Sequence, residues 1–479
     1  MKPIVLCCAL ALVATAAAQP APELIIRNGL VVTEDGRREA DLRIRGGTIA
    51  EIGPNLRPTS GAQEIEARGM LVLPGGIDPH SHMADPPEGR PLETYTSGSA
   101  AALAGGVTTL SNFLSKPAAE TVSAFLDRNT ALLETTAIAD FFIHVNVTDP
   151  KWLTEAALNT LAERGFTSTK TFMSRPYFDL NATGFVKAFR LSGAAGVLSM
   201  VHCEDAAILE DLGPQMVAEG RGGLHNYAAS RPDATEVAAT QRALAIAEVT
   251  RAPMYVVHIS SERALRSVEE AKTRGVPVYV ETRPLYLHLT SERFLQPDVA
   301  LYLGSPPLRE KRDQDALWAG LARGTIDTVA TDHGARLRAE KMEPKFDVVT
   351  GGGGINVLQV YLPMLYDAGV RTGRITLERF VAVTSTNAAK IFGMYPRKGT
   401  IQVGSDADVV IWNPNLKRTI RDEDELSNAK WNIYAGREVT GWPTTTIRRG
   451  EIVFQAGKLI GRPGTGKLIP QARRKKPAT

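Results

Sequence analysis

The stretch Leu71-Val-Leu-Pro-Gly-Gly-Ile-Asp-Pro-His-Ser-His82 joins an apolar run, a Pro-Gly-Gly break and a short segment that ends in two histidines. Side chains two residues apart on a strand point to the same face, so His80 and His82 can reach one metal ion. A His-x-His pair alone is equally compatible with two unrelated surface histidines. Four more ligand-type residues each lie close to the end of a β-type run: Lys170, His202, His258 and Asp332. Metal-type ligands at successive strand ends are typical of a (β/α)8 barrel site.

The 479-residue chain shows two different patterns of apolar runs along its length. From about Gly75 to Pro396, apolar runs are separated by alanine-rich amphipathic stretches, which predicts a parallel βα architecture. Its length, on the order of 300 residues, favours a closed (β/α)8 TIM-type barrel over an open sheet. Both chain ends show short β-type runs between Gly, Asn and Pro breaks, and neither makes a domain alone. We therefore predict an α/β protein whose two ends pair into one small β-sandwich around an inserted barrel.

The N-terminus has the three parts of a secretory signal peptide. Lys2 provides the positive charge, Ile4 to Val13 is a short apolar run, and Ala16-Ala-Ala18 is a small-residue cleavage site. The sequence therefore predicts an exported protein, periplasmic or secreted, that is soluble after cleavage. Of three cysteines, only Cys203 remains in the mature chain, so no intramolecular disulfide is expected.

Charge and composition limit the partners. A net charge of +3 with 22% charged residues argues against an extended nucleic-acid surface. The basic run Arg473 to Lys476 is interpreted as a solvated terminus, and no later segment has the length and apolarity of a transmembrane helix. The predicted boundaries are a signal peptide at 1–18, a β-sandwich at 19–73 and 398–462, a metal-dependent hydrolase barrel at 74–397, and a basic tail at 463–479.

Lys170 lies in a β-prone run whose inward positions should be apolar, where an unpaired ammonium is costly. A lysine carbamylated by CO2 accounts for it better than an outward-pointing stem, because the carbamate is an anionic oxygen ligand able to bridge two cations. Nitrogen and oxygen ligands without thiolate suit Zn²⁺, with Mn²⁺, Co²⁺ or Fe²⁺ as competitors. Two such ions about 3.5–4 Å apart would hold and ionise a bridging water. Asp332 could then act as a ligand and as the proton shuttle to the leaving nitrogen.

Longer stretches resemble the amidohydrolase superfamily, in its hydantoinase/dihydropyrimidinase branch, over nearly the whole mature chain. The matching segments include Pro74 to His82, Ser97 to Thr109, Lys170 to Met173, Val201 to Glu204, Val257 to Ser261, Glu281 to Leu287, Gly304 to Arg309, Ala330 to His333, Ser385 to Gly393, Pro396 to Asp408 and Glu438 to Trp442. The resemblance implies hydrolysis of the amide in a five- or six-membered cyclic ureide or imide, by a homotetramer or homodimer.

The resemblance also implies how the metals are held. His80, His82 and Asp332 would hold one ion, His202 and His258 would hold the other, and carbamylated Lys170 would bridge the two.

On the substrate side the sequence departs from the family pattern. The family usually has an oxyanion-binding tyrosine five residues after the lysine, where this chain has Arg175; Arg175 or Tyr177 could replace it. The family's substrate-binding asparagine is replaced by glycine near Gly353, whereas Ser305 matches its substrate-contacting serine. An arginine fork pairs well with carboxylates, although a solvated loop arginine is an equal alternative.

These departures leave other functions open on the same metal site. A dihydroorotase would typically have an arginine at position 84, where this chain has Ala84, although Arg175 could take over its role. An allantoinase, or an amidase for open-chain N-acyl or N-carbamoyl amino acids, uses compatible chemistry. A non-catalytic interaction scaffold is the remaining alternative, and the presence of all six ligands argues against it.

Overall fold

The structure is a computed structural model that describes residues 23–83 and 92–474. The predicted signal peptide, Ala84 and the end of the basic run at Lys475 and Lys476 lie outside these residues. Both ends of the described chain contribute to one nine-stranded sheet. Its strands are β1 (Glu23–Thr33), β2 (Gly36–Arg45), β3 (Thr48–Gly53), β4 (Gln63–Glu66), β5 (Leu71–Pro74), β14 (Val409–Thr419), β15 (Glu438–Arg448), β16 (Glu451–Gln455) and β17 (Lys458–Leu459).

This sheet joins the two ends directly. Its order is β17-β16-β15-β14-β5-β1-β2-β3, with β4 also paired to β1. The strand β14 runs antiparallel to β5, with Val410 opposite Leu73, whereas β1 is parallel to β4 and β5. Apolar side chains from both ends, including Ile26, Val72 and Ile411, pack into one core. The predicted pairing of the two ends into a separate β domain is confirmed.

The strands between these ends form the predicted barrel. They are β6 (Gly76–Asp78), β7 (Val107–Ser115), β8 (Asp140–Asn146), β9 (Ser168–Phe172), β10 (Leu198–His202), β11 (Met254–Val256), β12 (Val278–Thr282) and β13 (Thr328–Val329). Each is hydrogen-bonded in parallel to the next in sequence order. Just beyond β6 and β13, Ser81 pairs with His333, and the His82 backbone N–H donates to the His333 carbonyl at 2.7 Å. These contacts close the barrel at the carboxyl ends of its strands.

Helices connect the strands and extend beyond the last one. The α-helices are α1 (Tyr95–Ala104), α2 (Val122–Thr136), α3 (Glu155–Glu163), α4 (Pro176–Leu180), α5 (Ala182–Ala194), α6 (Ala206–Ala218), α7 (Tyr227–Ser230), α8 (Asp233–Thr250), α9 (Glu262–Thr273), α10 (Pro284–His288), α11 (Lys311–Arg323), α12 (Arg338–Lys341), α13 (Tyr361–Leu365), α14 (Leu377–Val381) and α15 (Asn387–Ile391). Two π-helical segments, Tyr366–Val370 and Ala382–Thr386, link the last three. None of the helices in the described residues combines the length and apolarity that a bilayer-spanning segment needs.

The segment after the nine-stranded sheet packs against the opposite end of the barrel. The Phe141 backbone N–H, at the start of β8, donates to the Lys467 carbonyl at 2.8 Å, and the Ile469 N–H donates back to Phe141. Ile469 is fully buried and Gln471 is 2% exposed. The segment that contains Ile469 and Gln471 therefore packs against this end of the barrel, whereas Arg473, in the basic run predicted to be solvated, is exposed.

A buried lysine links this end of the barrel to the nine-stranded sheet. Lys398 Nζ lies 2.6 Å from Asp140 Oδ2, 2.6 Å from Asp408 Oδ2 and 3.1 Å from Asp406 Oδ2, and its side chain is fully buried. Asp140 begins β8 of the barrel, and Asp408 immediately precedes β14 of the sheet. The three carboxylates are close enough together to hold a cation. Because the Lys398 ammonium already lies among them, we assign this cluster a structural role.

Candidate active site

All six predicted ligands line one cavity of about 600 Å³ at the carboxyl ends of the barrel strands. The six are His80, His82, Lys170, His202, His258 and Asp332. Lys170 lies inside β9 and His202 ends β10, whereas the other four follow β6, β11 and β13 within a few residues. The strand ends of a parallel barrel converge on one face, so ligands far apart in sequence meet there.

Three of these residues form one compact group. Asp332 Oδ1 lies 3.2 Å from His80 Nε2 and 3.0 Å from His82 Nε2. The ligand atoms of all three residues lie within 4.8 Å of one another. Two imidazole nitrogens and one carboxylate oxygen at this spacing suit a divalent transition metal such as Zn²⁺.

The remaining two histidines form a second group beside the first. His202 Nδ1 lies 3.0 Å from His258 Nε2, and the ring centroids of His80 and His258 are 5.4 Å apart. Burial lowers the pKa of both His202 and His258, so both rings are neutral at pH 7 and able to coordinate a metal. Together the two groups fit a pair of neighbouring cations.

Lys170 is fully buried, and within the described residues its Nζ has no hydrogen-bond partner. Burial lowers its pKa to about 8, an effect that Glu281 and Asp332 partly offset. A buried ammonium without a partner is unfavourable, and a lowered pKa increases the fraction of neutral amine, the form that reacts with CO2. This orphaned nitrogen is the observation that fits a carbamylated lysine between the two groups of ligands.

Asp332 has the electrostatics of a permanently ionised carboxylate. Burial alone would raise its pKa, but Arg283 and the neighbouring His80 and His82 hold that pKa well below its usual range. Arg283 Nη1 lies 3.1 Å from Asp332 Oδ2. At neutral pH this side chain is therefore available as a metal ligand and as a proton acceptor.

Sequence reasoning missed the carboxylates that orient the ligands. Glu281 Oε1 lies 2.7 Å from His80 Nδ1, and Glu204 Oε2 lies 2.9 Å from His202 Nε2. In each ring the other nitrogen is left to face the cavity, which is how carboxylates fix metal-binding histidines. Strand spacing could have found both: Glu281 lies inside β12, and Glu204 follows His202 by two residues.

A third buried carboxylate, Asp78, connects the first and last barrel strands. It accepts hydrogen bonds from the backbone N–H of Thr331 at 3.0 Å and of His80 at 3.2 Å, and from the Thr331 hydroxyl. Asp78 thereby sets the positions of His80 and of the segment that leads to Asp332. The sequence signal for this role was the position of Asp78 two residues before His80, on the same face of the strand.

The backbone is strained at two of the ligands. His258 has a φ of +38° and Asp332 a φ of +48°, in the left-handed region that side chains other than glycine seldom adopt. Such a conformation costs on the order of 1–3 kcal/mol and persists where surrounding contacts enforce it, commonly at functional sites. This backbone conformation directs both side chains into the cavity from the ends of short strands.

The predicted substrate-side residues are only partly brought together. Arg175, Ser305 and Gly353 line the cavity, and the Ser305 hydroxyl lies 3.2 Å from the Tyr227 hydroxyl. Tyr177 is not part of the cavity wall, and its ring packs against Phe185 with centroids 5.9 Å apart. Of the two candidates for the family's oxyanion tyrosine, the structure therefore places only Arg175 at the cavity.

Three more arginines line the same cavity and were not predicted: Arg231, Arg283 and Arg336. Arg231 Nη1 lies 3.0 Å from Glu204 Oε2. The side chain of Arg283 is 1% exposed and lies beside Asp332. No periodicity distinguishes these residues from ordinary charged positions, because their roles depend on which loops meet over the barrel.

Comparison with known proteins agrees with this architecture. The sequence model of the amidohydrolase family matches residues 71–453. A D-hydantoinase of Ralstonia pickettii is 36% identical over 458 residues, covering 95% of this chain and 100% of its own length. The dihydropyrimidinase of Rattus norvegicus is 34% identical, covering 94% of this chain and 89% of its own.

Solved structures agree as well. A D-hydantoinase structure superposes with a TM-score of 0.89 at 36% identity, over 94% of this chain and 99% of that one. The L-hydantoinase (dihydropyrimidinase) of Arthrobacter aurescens gives a TM-score of 0.86 at 30% identity over the same shares.

Proposed function

Because the chain belongs to the amidohydrolase family, as an enzyme of its hydantoinase/dihydropyrimidinase type, we propose that it opens a cyclic amide such as a hydantoin, a dihydropyrimidine or a related ureide or imide. The observation that supports this most directly is the convergence of five histidine and aspartate ligands around the partnerless Nζ of Lys170.

The proposal assigns each ligand a place. His80, His82 and Asp332 would bind one divalent cation, most simply Zn²⁺, and His202 with His258 would bind a second. Lys170, carbamylated by CO2, would lie between the two ions as a shared oxygen ligand. When bound, the cations would supply a water that ionises near neutral pH and would polarise the substrate carbonyl.

Asp332 is the proposed proton shuttle of the reaction. Its depressed pKa keeps it ionised at neutral pH, so its carboxylate can accept a proton from the attacking water. The proton is then transferred to the amide nitrogen as the C–N bond breaks, which completes the ring opening. Arg175 and Ser305 line the cavity and are the proposed contacts to the carbonyl oxygen and the ring.

The first test is metal analysis of the purified protein combined with a hydrolysis screen. The screen contains hydantoin, dihydrouracil, dihydroorotate, allantoin, a cyclic imide and N-acyl amino acids. We expect about two metals per chain and ring opening of at least one cyclic substrate. Absence of both metal and turnover, after Zn²⁺ and bicarbonate are supplied, would contradict the proposal and favour a non-catalytic interaction scaffold.

A second candidate is hydrolysis of an open-chain N-acyl or N-carbamoyl amino acid on the same metal site. The observation that favours it is the group of arginines in the cavity wall, which suits a free carboxylate. A dihydroorotase-like reaction on a carboxylated ring would use the same arginines. Metal-dependent cleavage of the open-chain members alone would select the amidase.

Export and self-association complete the proposal. We propose that residues 1–18 direct the protein to the periplasm or the medium, which N-terminal sequencing of the extracytoplasmic protein would test. Recovery of the protein with residues 1–18 intact in the cytoplasm would contradict this. A homotetramer or homodimer is the proposed assembly, and light scattering of the purified protein measures it.

A further inference from the structure

The cavity that contains the candidate metal ligands has a strongly cationic wall. Among the described residues, four arginines and three carboxylates line it. Arg231 and Arg283 each lie within 3.1 Å of one of the carboxylates Glu204 and Asp332. Among residues 23–83 and 92–474, Arg175 and Arg336 have no carboxylate within 4.0 Å. Two cavity arginines thus lack a described counter-charge.

The glycine-rich loop is shaped around one of these arginines. A Cβ on Gly352 would lie only 2.7 Å from Arg336 Nη1, and a Cβ on Gly354 would lie 3.4 Å from its Cγ and Nε. Any larger residue at 352 would displace the guanidinium. The loop therefore lets Arg336 lie along the cavity wall, where a side chain of this length would otherwise extend into solvent.

Two further basic side chains, Lys341 and Arg283, lie near this loop. Lys341 is 3% exposed, and its Nζ donates to the carbonyls of Leu303 and Gly354. Burial, together with the charges of Arg336 and Arg283, lowers the pKa of Lys341 to about 7. Arg283 is itself buried; its Nη1 lies 3.1 Å from Asp332 Oδ2, and within the described residues its Nε has no hydrogen-bond partner. Buried donors without partners need an explanation, which a bound anion supplies.

We propose that the substrate carries a carboxylate, which Arg336 and Arg283 bind while the scissile amide lies at the metal ligands. This inference rests on the proposed function, because it names the substrate class of the same site. Glu340 also lines the cavity, but it lies beyond 4.0 Å of Arg175 and Arg336 and so does not neutralise either. A guanidinium fork matches the two oxygens of a carboxylate, whereas a neutral ring would leave Arg336 without a counter-charge among the described residues.

The test measures binding, so that its outcome does not depend on turnover. The metal-loaded enzyme is titrated calorimetrically with orotate and uracil, a ring with and without a carboxylate. It is also titrated with N-acetylleucine and N-acetylleucinamide, the matching open-chain pair. We expect the wild type to bind the acid of at least one pair 10-fold or more tightly than its neutral partner, and the favoured pair distinguishes a ring from a chain.

Three variants test whether the preference for the acid over its neutral partner depends on Arg336. Arg336→Met should reduce it to less than about 2-fold, and Arg336→Lys should restore part of it. Arg338→Met is the matched control, because Arg338 is exposed and paired with Asp422 outside the cavity, and it should behave as wild type. The proposal is overturned if neither acid is preferred, or if Arg336→Met keeps the full preference, since the carboxylate would then bind the metals directly. Preferential binding without any hydrolysis would refute the proposed function and leave this inference standing.

Discussion

Lys170 and Lys398 are both fully buried, one at each end of the barrel, and their surroundings are opposite. Three carboxylates lie within 3.1 Å of the Lys398 amine. The Lys170 amine has no hydrogen-bond partner among the described residues and lies about 5 Å from the ring centroids of Phe113 and Phe172. Burial lowers the pKa of Lys170 to about 8, whereas the carboxylates outweigh burial at Lys398 and raise its pKa.

The contrast separates two uses of a buried lysine. The paired amine of Lys398 is a permanent cation that fixes the barrel against the nine-stranded sheet. The unpaired amine of Lys170 has a lowered pKa, which increases the fraction of the neutral, reactive form, and it lies among five metal-type ligands. Burial alone therefore identifies neither role, and the partners within hydrogen-bond distance decide between them.

The strongest test of this contrast is Lys170→Ala. We expect kcat to fall by about 10⁴-fold or more, with loss of at least one metal, because the shared ligand is removed. A short carboxylic acid such as propionate should restore part of the activity by taking the place of the carbamate. Metal content, kcat and circular dichroism check this, and full activity in the variant would refute the bridging role.

Asp332→Asn changes the proposed proton shuttle and keeps the shape of its side chain. We expect kcat to fall by about 10²–10⁴-fold while the protein remains folded, because an amide cannot accept the proton. Steady-state kinetics and a thermal melt measure the two quantities. A wild-type rate would mean that a different residue is the base.

Lys398→Met should have the opposite pattern, with a large effect on stability and a small one on chemistry. Removing one partner from a buried ionic cluster costs about 3–5 kcal/mol, because Asp140 and Asp408 are left buried without the Lys398 ammonium. Denaturant unfolding measures this loss. The kcat of the folded variant at low temperature should stay within about 3-fold of wild type, and a loss comparable to that of Lys170→Ala would remove the distinction between the two lysines.

The stability difference between wild type and Lys398→Met should depend on pH in a defined direction. In the wild type, burial would raise the pKa of Asp140, but Lys398 and Arg449 lower it. The stabilisation from Asp140 is therefore present above its unfolded pKa of about 4 and is lost as the pH falls further. We expect the difference to narrow as the pH falls in unfolding experiments, because Asp140 and Asp408 are protonated at higher pH when Lys398 is absent. A constant difference from pH 7 to pH 3 would contradict this assignment.

The smallest expected effect concerns the carboxylate that orients a ligand of the second metal group. Glu204→Gln should weaken metal affinity by about 10–100-fold, because Glu204 fixes the ring of His202. Competition with a chelator measures the affinity, and Glu210→Gln is a control on the neighbouring helix α6. Unchanged affinity would mean that other contacts are enough to hold His202.

The sequence was sufficient to predict the barrel and the convergence of its candidate metal ligands, because both follow a short-range rule. Inward residues alternate along a strand, and strand ends converge on one face, so His80, His202 and Asp332 could be assigned to one site. The pairing of the two chain ends followed from the same kind of pattern, since neither end could bury a core alone.

The substrate side could not be predicted in this way. The position of Arg336 depends on the backbone of a glycine-rich loop, and that of Arg283 on a buried ion pair with Asp332. The packing of Ile469 and Gln471 against the barrel was not predicted either, because it depends on contacts with residues distant in sequence such as Phe141. In each case the tertiary contact has no counterpart in local sequence.

The pairing of β5 with β14 has a consequence for how the protein is made. Leu71–Pro74 emerges from the ribosome long before Val409–Thr419, its neighbour in the sheet. At about 10 residues per second, β5 waits on the order of half a minute for its partner. During that interval the nine-stranded sheet cannot be completed, so folding finishes only after synthesis of the C-terminal strands.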